Sequence, residues 1–219
     1  MVTPPRSDVG ASETNAALVT YSPAVRRPLG FSLADKFGEG VADPVIHLRG
    51  YEAKEADGEL PHTAQLGIRI RNQLGELRLD TVKVERLLVP SSKDLIAPPL
   101  PPGASNVDDF KCYKVKTTRG TAKLAKGLVV DLQDQFAHRL FDVVKPTRLC
   151  LAVNRAGGGV LHPTDHLMCY QVKLSKPKPV SPAQAKHTAV DAFTANDLDD
   201  ETLTTIKEEE FCVPSTVTP

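Results

Sequence analysis

Cys112-Tyr113-Lys114-Val115-Lys116 opens, and Phe141-Asp142-Val143-Val144-Lys145-Pro146-Thr147-Arg148-Leu149-Cys150 closes, a stretch that the chain has already spelled once. Residues 50–88 laid on residues 112–150 without a gap give ten identities at an offset of 62. They are Tyr51/Tyr113, Lys54/Lys116, Gly58/Gly120, Leu66/Leu128, Gln73/Gln135, Asp80/Asp142, Val82/Val144, Lys83/Lys145, Arg86/Arg148 and Leu87/Leu149. A third copy runs from Cys169 to Cys212. Repetition at this period marks a small unit that builds its core by packing against further copies.

Each copy begins with an alternating run: Arg49–Lys54, Lys111–Lys116 and Met168–Lys173. That pattern is the signature of a half-buried strand. A polar turn follows, then a second alternating run at Leu66–Ile70, Leu128–Leu132 and Thr188–Ala192. A third segment has one length throughout: Asn72–Leu88, Asp134–Cys150 and Asn196–Cys212. Within it, Leu74/Phe136/Leu198, Leu79/Phe141/Leu203 and Val82/Val144/Ile206 form apolar columns. The last two columns lie three residues apart, which breaks alternation; a β-bulge or corner explains it, and a helical turn is the other option. The pattern reaches backwards too. Gly38–Leu48 lies on Gly157–Leu167, and Leu33, Asp35 and Phe37 resemble Leu132, Asp134 and Phe136. Residues 31–44 therefore read as the truncated tail of a preceding repeat that caps the array. The fold class is all-β: tandem repeats of small disulfide-stapled β modules packed together, with an extended N-terminal segment.

The four cysteines occupy the same two positions in copies two and three, and the first copy changes both together, to Gly50 and Leu88. Joint presence and joint absence is what a bond within one copy leaves behind, so Cys112–Cys150 and Cys169–Cys212 are favoured over the other connectivities. Closing loops of this length stabilises each module by roughly 4 kcal/mol. Units of about fifty residues bury little apolar surface alone and need that help. Structural disulfides imply an oxidising compartment. No Cys-x-x-Cys pair is present to suggest a zinc knuckle.

Several stretches carry a family resemblance: Phe110–Lys116, Asp134-Gln135-Phe136 with Phe141–Cys150, the Asp165–Tyr170 link and the closing Glu210–Ser215. Over residues 31–216 the chain resembles the tandem Cys-Tyr-Lys-Val-Lys repeats of uncharacterised secreted bacterial proteins. The resemblance implies secretion and a β-rich module, and it carries no activity. The first copy departs from it by lacking both cysteines, and the third by a five-residue insertion.

These readings divide the chain into an extended N-terminal arm at 1–30, a cap plus first β repeat at 31–92, and a Pro-rich linker at 93–107. The second repeat follows at 108–156, the third at 157–216, and a tail at 217–219. The linker contains Pro98-Pro99-Leu100-Pro101-Pro102-Gly103, a stiff polyproline spacer. Residues 27 basic and 27 acidic in number give zero net charge, so the electrostatic footprint of a nucleic-acid binder is missing. No apolar run approaches the ~18 residues that cross a bilayer. The segment Met1–Arg6 lacks the apolar centre of a signal peptide, which conflicts with secretion unless a leader was trimmed, export uses another route or the compartment reading is wrong; a trimmed leader is the favoured account.

No catalytic pattern emerges, and the chain reads as a non-enzyme without a cofactor. Gly157-Gly158-Gly159 lacks a strand-to-helix context and reads as a turn. His162 and His166 flank Asp165, a conceivable metal set, but Pro163 stands between them and His47 recurs at the position of His166. The acidic runs Asp199-Asp200-Glu201 and Glu208-Glu209-Glu210 lack calcium-loop spacing and read as solvated faces. Lys83, Lys145 and Lys207 read as charges that guard a strand edge. Tyr51, Tyr113 and Tyr170 read as core or half-core residues.

The functional expectation is an extracellular or cell-surface structural subunit that assembles with itself into a filament, sheath or surface layer. Its assembly strand is Ala16-Ala17-Leu18-Val19-Thr20-Tyr21, the one apolar stretch in the N-terminal arm, which can add to the sheet edge of another copy or pair within its own chain. The alternative is a secreted glycan- or protein-binding module with repeated surfaces.

Overall fold

The computed structural model describes residues 17–23, 29–36, 45–103, 106–155, 157–176 and 183–218, with backbone alone at 17–23 and 29–36. Ala16 and the Gly38–Pro44 half of the backward pattern lie outside the described residues.

The described residues form strands and turns, as the alternation requires. The strands are β1 (Ala17–Pro23), β2 (Leu29–Lys36), β3 (His47–Glu52), β4 (Ile68–Asn72), β5 (Gly75–Asp94), β6 (Asp109–Thr117), β7 (Val129–Gln133), β8 (His138–Val153), β9 (His166–Leu174), β10 (Asp191–Ala195) and β11 (Asp200–Thr218). Each full copy supplies a first strand (β3, β6, β9), a short middle strand (β4, β7, β10) and a long third strand (β5, β8, β11).

All pairings are antiparallel, and eight strands close on themselves in the order β1–β2–β3–β5–β6–β8–β9–β11 and back to β1. Every first strand sits between the long strand of its own copy and that of the copy before it. Closure is how an antiparallel sheet removes its edges.

The ring has four modules, not three. Within a module, the first and long strands pair as Gly50↔Leu88, Cys112↔Cys150 and Cys169↔Cys212, and the β1–β2 hairpin matches them with Thr20↔Phe31. The hairpin is a fourth repeat reduced to its two outer strands. This corrects the sequence boundary at residue 30, which falls inside β2, and replaces the cap with a two-stranded module that begins at Ala17. Residue-by-residue similarity had aligned Leu33 with Leu132, whereas pairing puts Phe31 in the place of Cys150. Backbone register, not side-chain identity, preserves the repeat here.

The middle strands bridge opposite modules. Each pairs with its own long strand and with the far end of another: Arg71↔Thr216 for β4, Gln133↔Asp35 for β7 and Ala195↔Ser92 for β10. Consequently β5 runs to Asp94, past the start of the Pro-rich linker, and β11 runs to Thr218, through the segment read as a tail. Pairing across the ring gives those residues partners that local sequence does not reveal.

Two apolar clusters line the two faces of the ring. One gathers Leu48, Leu88, Phe110, Leu167 and all four cysteines, so both disulfides and the Leu88 that replaces them share one core. The other runs along the opposite face through Ile70, Leu79, Val130, Phe141, Leu149, Met168, Tyr170, Phe211 and Val213. Strand β9 is buried on both sides, with Leu167 and Cys169 in one cluster and Met168 and Tyr170 in the other.

The disulfides are Cys112–Cys150 and Cys169–Cys212, the pairing favoured by the repeat logic, and they indicate an oxidising environment. No helix among the described residues is long and apolar enough to cross a membrane. Replacing Cys112 and Cys150 together by alanine should cost roughly 4 kcal/mol, the loop-closure value for a 38-residue separation. Urea denaturation of the variant against the wild type measures this, and a loss below about 1 kcal/mol would contradict it.

Candidate functional site

The joints between modules are where the repeated residues meet, and three of the four, β5–β6, β8–β9 and β11–β1, share one geometry. In β5–β6, Val82 and Glu85 have no opposite residue, because the register shifts between Thr81 and Lys83 and again between Val84 and Arg86. In β8–β9, Val144 and Thr147 are skipped in the same way. In β11–β1, shifts fall between Thr205 and Glu208 and between Glu208 and Glu210, at the same repeat positions. Tyr21 thereby takes the register position of Tyr113 and Tyr170. The double bulge accounts for the broken alternation in the sequence. It also turns the third apolar column outward: Val82, Val144 and Ile206 are 42, 40 and 43% exposed. Lys83, Lys145 and Lys207 follow them on the surface.

Two asparagines at one repeat position lock opposite modules together. Asn72 Nδ2 donates to the Tyr170 hydroxyl (2.8 Å) and to Ser215 Oγ (2.9 Å). Asn196 Nδ2 donates to the Tyr51 hydroxyl (2.8 Å) and to Ser91 Oγ (2.9 Å). Copy one thus grips copy three and copy three grips copy one with the same three residue types. Each asparagine Oδ1 accepts a backbone N–H two residues on, from Leu74 and Leu198, which fixes the turn that aims the amide. Burial pushes the Tyr170 phenol up to about 12, against the Asn72 hydrogen bond that lowers it. Burial raises Tyr51 as well. Tyr170 is 1% exposed, so it has no face to offer a sugar; Tyr113 is half-buried against His62, with ring centroids 4.7 Å apart.

Charged residues do the same work on the disulfide face. Arg86, Arg148 and Glu210 occupy one repeat position in three modules and converge: Arg148 bonds Glu210, and Arg86 lies 3.9 Å from it. Arg148 Nε also donates to Glu85 at 2.7 Å, and the Thr147 hydroxyl reaches Glu210 and the Cys169 carbonyl. Desolvation draws the Arg86 guanidinium down to about 10. Glu208 is held by Arg139. The run Glu208–Glu210 is therefore not a solvated face, which corrects the sequence reading: Glu208 and Glu210 are buried because their arginine partners arrive from β8. Asp199 and Glu201 bind the buried Arg49, which also donates to Thr194 Oγ1 (3.2 Å) and lies 5.0 Å from the Tyr51 ring centroid.

Shorter links repeat as well. Asp80 Oδ1 accepts from Thr118 (2.6 Å), and Asp142 Oδ1 accepts from Ser175 (2.8 Å), each tying a long strand to the next module. The Thr118 hydroxyl and the Gly67 N–H hold the Asp80 carboxyl below its ordinary range. His62 bonds Thr81 and His187 bonds Thr205, both at 2.8 Å. In copy two the corresponding positions are the apolar Leu124 and Val143, Val143 within the core cluster and Leu124 packed against it.

His47 and His166 open β3 and β9 opposite Ser91 and Ser215. His162 turns instead to Asp108, 3.3 Å away, so the two histidines four apart do not form a metal set. The only ligand-like group within reach of itself among the described residues is Cys169, Cys212 and Glu210, and its two sulfurs are joined in a disulfide. Gly157 and Gly159 adopt left-handed turns (φ 83° and 91°) that suit glycine.

An open groove of about 440 Å³ lies along β9 and β11, lined by apolar residues that include Phe141, Val172 and Leu174 and by the charged Lys173, Lys186 and Lys207. A smaller recess of about 210 Å³ borders the Arg86, Arg148 and Glu210 cluster. The assembly strand falls in β1, whose residues 17–21 pair with β2 on one side while 18–23 pair with β11 on the other, so the pairing is within the chain. What the arrangement does chemically is hold modules in register. No protein-family model, curated protein or solved structure matches the chain.

Asn72→Ala and Asn196→Ala should each cost about 1–3 kcal/mol by leaving a tyrosine and a serine hydroxyl without their partner, with the larger loss at Asn72, whose Tyr170 is fully buried. Because the two grip the same pair of modules, the double variant tests their coupling by denaturation, and strict additivity would argue against a shared lock.

Lys93 gives a pH-dependent expectation. Its Nζ is buried with no hydrogen-bond partner, 4.9 Å from the Phe136 ring centroid. Burial lowers it to about 7, against the attraction of Asp134. A folded value below the unfolded one gives stability that is full above the unfolded value near 10.5 and is lost as pH falls towards 7. Lys93→Met should therefore raise stability by about 1 kcal/mol or more at pH 7 and by little at pH 10.5. Denaturation midpoints across that range check it; a gain independent of pH would refute the assignment.

Proposed function

We propose that this chain is a non-enzymatic structural protein of the cell exterior, whose copies associate into a filament, sheath or surface layer. One observation carries the reading. The joint that closes the ring, β11–β1, uses the register shifts of the joints that connect one repeat to the next, β5–β6 and β8–β9. The last repeat thus ends in the same docking edge that receives a further repeat elsewhere in the chain. A protein that extends itself by this joint can extend beyond a single chain with no new kind of contact.

Other features support the reading. Two disulfides suit an oxidising exterior, where no reductant opens them. The repeated residues go to inter-module locks rather than to a cleft. Balanced charge, 27 against 27, removes long-range repulsion between copies. Membership of the secreted Cys-Tyr-Lys-Val-Lys repeat family belongs to the same proposal and rests on the motifs of copies two and three.

The expected outcome is a rise in particle mass with concentration under oxidising conditions, read by light scattering, with elongated or sheet-like particles in negative stain. A chain that stays monomeric from micromolar to millimolar concentration would overturn the proposal.

A further inference from the structure

We infer that the β1–β2 hairpin is an exchangeable element: the hairpin of one copy seats between β11 and β3 of a second copy, whose own hairpin is passed on to a third. The inference rests on the self-association proposed above and names the surface and the partner, a second copy of this chain.

The register is the first argument. The hairpin occupies a complete module position, with Thr20↔Phe31 standing where the other modules pair Gly50↔Leu88, Cys112↔Cys150 and Cys169↔Cys212. It is docked as a separate module is docked, through a first strand against the preceding long strand and a long strand against the following first strand.

The inventory of its contacts is the second. Among the described residues, strand pairings hold the hairpin together internally and hold it to β11, β3 and β7. A second copy presents the same three strands. Closed and exchanged forms therefore contain the same ladder pairings. The balance between them depends on the connection and on concentration, the condition under which domain swapping has low cost.

Covalent structure is the third. Both disulfides lie inside a module and none crosses a joint. The hairpin has no cysteine, nor does the first full copy to which it is joined. Oxidation secures modules two and three internally while leaving the β11–β1 and β2–β3 joints free to open.

The fourth is reach. Residues 37–46, between Lys36 and His47, amount to ten residues. Extended, they span about 33–36 Å, several times the spacing of adjacent strands. Donor and acceptor are different surfaces, so the contact is heterologous. Such contacts produce open head-to-tail chains unless the rotation closes them into a ring.

A cross-link placed across the joint tests this. Asp35 and Gln133 are opposite residues of β2 and β7, and Gln133 is exposed. The full chain carrying Asp35→Cys and Gln133→Cys is oxidised at low and at high concentration, denatured without reductant, and weighed. Exchange predicts a monomer with an internal bond at low concentration and a covalent ladder above the dimer at high concentration. Either cysteine alone predicts nothing larger than a dimer. If particles grow by light scattering yet every cross-link stays within one chain, the exchange is wrong and self-association by another surface stands. If no growth occurs, both readings fall. Should the double variant not fold, Val19→Pro in the otherwise unaltered chain removes a ladder residue of β1. Oligomers that persist in it would overturn the exchange, and their loss with the monomer still folded supports it.

Discussion

The joint between one long strand and the first strand of the next module constrains everything else in this structure. A repeat with a long strand and a short first strand cannot bury both faces or pair both edges alone. Each first strand must therefore be shared between two long strands, and sharing around the chain forces closure. The double bulge makes that closure geometrically possible. An extra residue bends its strand and increases the local twist, and with two extra residues each, β5 and β11 leave their own middle strands, pass the next module and reach β10 and β4 across the ring.

Stability is then distributed between neighbours and opposites. Neighbouring modules are tied by strand ladders and by Asp80–Thr118 and Asp142–Ser175. Opposite modules are tied by the reciprocal asparagine locks and by Arg49 with Asp199 and Glu201. The disulfides act at a third level, inside modules two and three. Copy one replaces its disulfide with Gly50 opposite Leu88, and Leu88 fills the same cluster as the four cysteines. A covalent link and an apolar side chain thus serve one position, since both exclude water there. Among the described residues the N-terminal hairpin has neither a disulfide nor a middle strand, and its β1 pairs with β11 to close the ring.

Much of the fold was legible in the residues. Alternation gave the strands, the joint presence and absence of cysteines gave their pairing, and the three-residue step from Leu79 to Val82 marked a break that a bulge or a helical turn could explain and the register shows to be a bulge. The joints were less legible. Glu208 and Glu210 look like members of a solvated acidic run because their partners, Arg139 and Arg148, lie more than sixty residues away. Asn72 and Asn196 share a repeat position, but nothing local says that each grips the other's module. The hairpin module was visible only as a loose likeness at Leu33, Asp35 and Phe37, since its place in the ring is set by backbone register.

The sequence by itself determined the module: its period, its strand pattern and its internal disulfide, all of which depend on contacts within about forty residues. Tertiary structure decided the number of modules, the closing of the ring and the partners of the buried charges. Those depend on which long strand lies opposite which middle strand, a matter of distance in space that a repeat spaced evenly along the chain leaves open.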